Sequence, residues 1–141
     1  MNYIANTTRT FALILLVLIG ASVAPQTALA GDYEGNWTKR SQTIKGGWSI
    51  VETAEGRFLQ LDEGFKTRRA PDLKLFLSKR DAADVTANNA TDGSVLIAPL
   101  KKSKGAQRYA LPADLDLSEF NTLVLHCEQY TKLWGVSALS G

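Results

Sequence analysis

The sequence predicts an all-β domain, an antiparallel β-sandwich or small barrel of about seven to nine short strands, preceded by a cleaved signal peptide. Three observations carry this expectation. Short apolar runs recur between turn residues from Gly47 onward. The segment Leu73-Lys74-Leu75-Phe76-Leu77-Ser78 alternates with the period of two that a half-buried strand requires. Past residue 30, no helical period is sustained.

Residues 1–30 read as an export leader: Arg9 gives the basic start, Phe11 to Gly20 the apolar stretch, and Ala28-Leu29-Ala30 the small-x-small cleavage site. The apolar run falls short of the roughly 20 residues a spanning helix needs, and Pro25 interrupts it, so no membrane span is expected after cleavage. The mature chain then starts at Gly31, in the periplasm or outside the cell. Residues 31–44 are polar and Gly-punctuated and read as an extension ahead of a domain over 45–141.

Trp48 to Val51 runs into the turn Ala54-Glu55-Gly56 and returns as Arg57 to Asp62, a hairpin. In the strand starting at Leu73, Pro71 forces Ala70 into extended backbone, and Asp72 is suited to accept a backbone N–H at the strand's entry. Residues 79–94 are rich in Asn, Asp and Thr without apolar period and form a long loop, with a helical turn at Asp81–Val85. Val95–Leu100, Gln107–Leu111, Thr122–Glu128 and Tyr130–Leu139 supply the remaining strands. Leu73, Leu75, Leu77, Leu123 and Leu125 are expected in one core.

Composition removes several function classes. The chain has 141 residues and a formal charge of +2, and no Lys/Arg block exceeds two residues, so nucleic acid is not an expected partner. One Cys and one His leave no intramolecular disulfide, no Cys-rich zinc site and no multi-histidine site. Met1 is the only methionine, so the cleaved chain has no axial Met for haem or blue copper, and there is no Cys-x-x-Cys-His for covalent haem. With the sole His beside the sole Cys, a hydrolytic triad has no support, and an enzyme is disfavoured. Lys66, Arg68 and Arg69 form one basic cluster and Lys101, Lys102, Lys104 and Arg108 another, read as solvated loop charge or a dock for an acidic partner.

An ordered set of motifs runs along the chain: Gly47-Trp48; Phe65-Lys66-Thr67; Ala70-Pro71-Asp72-Leu73 leading into Leu75-Phe76-Leu77-Ser78; Leu100-Lys101; Gly105-Ala106-Gln107-Arg108-Tyr109 with Leu111-Pro112; Leu123-Val124-Leu125-His126-Cys127-Glu128-Gln129-Tyr130; and Trp134-Gly135-Val136-Ser137-Ala138-Leu139. Over residues 44–140 this resembles the DM-thirteen domain family, an electron-transfer domain often found beside DOMON β-sandwiches. The resemblance implies a β-rich extracytoplasmic domain in which Cys127 has a redox role. The chain departs from the family at His126, where an aromatic is common, and at Lys132, where the family tends to be apolar.

On an extended strand Cys127 shares a face with Leu123 and Leu125, and His126 points the other way with Val124 and Glu128. Two readings of Cys127 follow. Buried among leucines it is an inert core thiol; at the mouth of the sandwich it is a working thiol, its thiolate favoured by a base such as Lys101 or Arg108. His126 is expected at a solvated rim, and haem or copper only where a partner holds the group. Tyr109 reads as a core ring with a satisfied hydroxyl. The functional expectation is an exported accessory domain for electron transfer or thiol redox, with a protein partner outside the cytoplasm. The alternative is a non-catalytic binding module for a protein, a glycan or a haem-bearing partner.

Overall fold

In the computed structural model, residues 29–139 are described; the leader expected over 1–30 lies outside them except for Leu29 and Ala30. The strands are β1 (Leu29–Asn36), β2 (Thr38–Lys39), β3 (Gly47–Thr53), β4 (Gly56–Leu61), β5 (Leu73–Ser78), β6 (Val95–Pro99), β7 (Gln107–Ala110), β8 (Thr122–Cys127) and β9 (Lys132–Ala138). They form a sandwich of two sheets, β1-β3-β4-β7 and β2-β9-β8-β5-β6, in which the neighbouring strands run antiparallel.

The β3–β4 hairpin forms where its sequence predicts. Thr53 pairs with Gly56 across Ala54-Glu55, and the Thr53 hydroxyl accepts from the Glu55 N–H at 3.1 Å. Its register sets Trp48 opposite Leu61 and Ile50 opposite Leu59, so these four buried residues face the second sheet. There β5 and β8 meet with Leu73 opposite Cys127, Leu75 opposite Leu125 and Leu77 opposite Leu123. All five leucines lie in one buried cluster, as their period of two requires. The Trp48 indole N–H donates to the Ser137 hydroxyl on β9 at 2.8 Å and ties the two sheets together.

The second sheet is buried on both faces. Phe76, Val124, Leu133 and Val136 form a second cluster under Val85 and Ala90, which the loop after β5 folds back across the sheet. The loop is pinned by the Arg40 guanidinium, which donates to the Ala82 carbonyl at 2.7 Å, and by the Thr122 hydroxyl, which donates to the Arg80 carbonyl at 2.8 Å. Its expected helical turn is a short 3-10 segment at Ala82–Asp84.

Two boundaries differ from the sequence reading. The segment read as a polar extension contributes β1, an edge strand paired with β3, and β2, an edge strand paired with β9. The last strand starts at Lys132, because Glu128 to Thr131 make the hairpin turn, with the Thr131 N–H donating to the Glu128 carbonyl at 3.1 Å and Thr131 at φ 45°.

Candidate functional site

Cys127 closes β8 at the end of the sandwich where β5 begins. Its side chain is wholly buried in the main core, on the face it shares with Leu123 and Leu125. Its cross-strand neighbour Leu73 is also a wall residue of a surface groove of about 580 Å³, which Cys127 itself does not line. The resting structure therefore matches the core-thiol arrangement; a thiol open at the sandwich mouth is not what these residues form. The expected activating bases are engaged elsewhere: Lys101 Nζ donates to the Arg108 carbonyl at 2.7 Å, and Arg108 donates to Glu55 at 2.8 Å and lies over the Phe58 ring.

His126 is not at a solvated rim: it is 3 % exposed, on the outer face of the second sheet. Lys74 and Leu133 stand opposite it, on the face whose apolar residues Phe76, Val124, Leu133 and Val136 lie under the folded-back loop. Its Nδ1 is buried without a hydrogen-bond partner, and burial holds its pKa below the usual 6.5 against the pull of Glu128. Since His126 and Cys127 project to opposite faces, they cannot ligate one ion, and among the described residues no group of three or more His, Cys, Asp or Glu converges. Beside this pair, Lys74 bridges Glu128 and, at 3.2 Å, Asp72, contacts that raise the Lys74 pKa, the Glu128 bond most.

The depressed His126 pKa has a sign-definite consequence. As pH falls through 6.5 the unfolded chain binds a proton that the folded chain refuses, so His126 lowers stability on the acid side and contributes nothing to the slope above it. Replacing His126 by Phe should flatten the loss of stability just below pH 6.5 while leaving the neutral plateau intact, as read by chemical denaturation at a series of pH values. Superimposable profiles for the two proteins would contradict it.

The groove, which periodicity does not reveal, lies between the start of β5 and the loop after β6. Leu73, Pro71, Pro99 and Leu100 give it an apolar wall, and Arg69, Lys101, Lys102 and Lys104 a cationic rim. Tyr109 and Gln107, both buried, hold that loop from beneath. The Tyr109 hydroxyl accepts from the Lys101 N–H at 2.9 Å and donates to Gln107 Oε1 at 2.7 Å, and Gln107 Oε1 also accepts from the Lys102 N–H at 2.9 Å. Burial pushes the Tyr109 pKa up, which keeps its hydroxyl a donor.

A family model described as electron transfer DM13 matches residues 37–139. No curated protein and no solved structure matches the chain significantly.

Proposed function

The match spans nearly the whole described fold, so the chain belongs to the electron transfer DM13 family, and from that premise we propose an exported accessory domain whose redox-related role centres on the Cys127 thiol. The observation that carries this reading is the position of the only cysteine, one cross-strand neighbour away from the wall of the groove. A lone thiol cannot close a disulfide within its own chain. It works by exchange: the Cys127 thiolate attacks one sulfur of a partner's disulfide, a mixed disulfide forms, and the other partner sulfur leaves as a thiolate that takes up the proton. An external thiol then attacks the Cys127 sulfur and expels the partner's second sulfur as a thiolate. A second external thiol attacks the external sulfur, forms the external disulfide and releases Cys127, so two electrons pass from the two thiols to the partner's disulfide. Access requires the Leu73 wall to move, a local opening at the end of β5 and β8.

Acid quenching and alkylation of the native exported fraction should trap a mixed disulfide on wild-type protein whose intact mass starts at Gly31. The same treatment of Cys127→Ser should trap none. A wild-type chain without any such adduct in its own compartment would overturn the proposal.

Complete burial of the thiol favours a second reading, a binding module in which Cys127 is packing and the groove is the working surface. The two diverge on whether the native thiol exchanges at all.

A further inference from the structure

At the end of the sandwich three chain segments outside the named strands lie side by side. Lys45 bridges Lys66, and Lys66 bridges Lys104, in antiparallel pairs. The Lys45 N–H donates to the Lys66 carbonyl at 2.9 Å, and the Gly105 N–H donates to the Phe65 carbonyl at 2.8 Å. Directly opposed residues project to one face with Cβ atoms roughly 4.5–5.5 Å apart, and like charges so placed repel. All three lysines are exposed, and Lys104 is also part of the groove's rim.

Several cations of this end lack a partner among the described residues. Arg57, Lys74, Lys79 and Arg108 each hold an acidic partner. Among the described residues, Lys45, Lys66, Arg68, Arg69, Lys102 and Lys104 have neither an ion pair nor a side-chain hydrogen bond. The only acid lining the groove, Asp72, is already engaged by Lys74. Of the described residues, Lys39, Arg80 and Lys132 are unpaired as well but stand outside the groove. Arg69, Lys101, Lys102 and Lys104 line it, and Lys66, paired with Lys104, and Lys45 extend that row, so in a chain of nearly balanced charge these cations sum to a local positive field beside apolar surface. The loop carrying Lys101 and Lys102 is fixed by the buried Tyr109–Gln107 network, so the rim is ordered before anything binds.

The geometry points to this groove as the docking site for an acidic, extended segment of a partner protein. Carboxylates would meet the lysine row and rim, and intervening apolar side chains would cover Pro71, Leu73, Pro99 and Leu100. Nucleic acid fits less well, because the groove has no aromatic lining for bases to stack on. A sulfated polysaccharide would leave the apolar wall uncovered. The inference goes beyond the redox reading and does not depend on it.

The test is fluorescence anisotropy on the mature chain with a labelled synthetic peptide in which glutamate alternates with leucine and proline. Binding should weaken with added salt. The double variant Lys66→Glu, Lys104→Glu should lose about tenfold or more in affinity, equivalent to roughly 1.4 kcal/mol. The control pair Lys39→Glu, Lys132→Glu, exposed and away from the groove, should change little. Should the charge reversals unfold the chain, Lys66→Gln with Lys104→Gln reads the same effect at smaller size. Equal losses in both pairs, no peptide binding, or tighter binding of single-stranded oligonucleotide or sulfated polysaccharide would each overturn the proposal.

Discussion

Leu125→Ala should destabilise the domain by about 2–5 kcal/mol, enough to remove a large fraction of the total stability of a chain this size. Leu125 is wholly buried at the centre of β8, opposite Leu75 on one side and Gly135 on the other. It faces the other sheet in the main core cluster. The β5–β8 ladder is continuous and the β8–β9 ladder pairs on both sides of a single register shift after Leu125, so the backbone cannot readily collapse into the space a missing isobutyl group leaves. Leu75→Ala should behave alike, whereas Leu96→Ala, at a position half exposed on the edge strand β6, should cost little. Chemical denaturation of the three variants checks the register: equal losses at Leu96 and Leu125 would mean that β8 turns its other face to the core.

Gly46→Ala is the second large effect. Gly46 has φ of +82°, a left-handed conformation costing a residue with a Cβ about 1–3 kcal/mol. The added methyl would also collide with backbone, since an ideal Cβ there lies against the Phe65 nitrogen and 2.6 Å from the Gly64 carbonyl carbon. Backbone held by the Lys45–Lys66 bridge cannot yield cheaply, so overpacking adds roughly another 1–3 kcal/mol. Gly93→Ala isolates the conformational part, because Gly93 has φ of +66° with open space around it. Thermal unfolding should show Gly46→Ala far below Gly93→Ala. Equal melting temperatures would show that the approach of residues 44–46 to 64–66 is looser than described.

What the sequence disclosed follows from which interactions are local. The leucines of β5 and β8 announce their face by a period of two, and Ala54-Glu55-Gly56 announces a hairpin. Placing Cys127 with Leu123 and Leu125 needs only strand alternation. The burial of His126 was hidden for a specific reason. Its sheet face is buried by packing with Val85 and Ala90, which cover the apolar residues beside it and which no local pattern in their polar loop marks as a cover. β1 was hidden because it is an edge strand whose inward positions include Gly35, where a Cβ would meet Ser137 and the Trp48 ring, so its close packing leaves no apolar stripe to read. Of the groove, the clusters around Lys66 and Lys101 are visible in sequence, but Lys45 joins them only through tertiary pairing.

The claim that Cys127 exchanges electrons through a local opening is tested most directly by the rate at which the native protein reacts with a small aromatic disulfide, measured across low concentrations of urea. A thiol reached by movement of the Leu73 wall exposes little surface, so its rate should be nearly independent of urea well below the unfolding transition and should exceed the rate of global unfolding. A rate that rises steeply with urea from the first addition, with the dependence of global unfolding, would show that Cys127 is released only when the whole fold is lost. That result would contradict the redox assignment and leave the groove as the working surface of the domain.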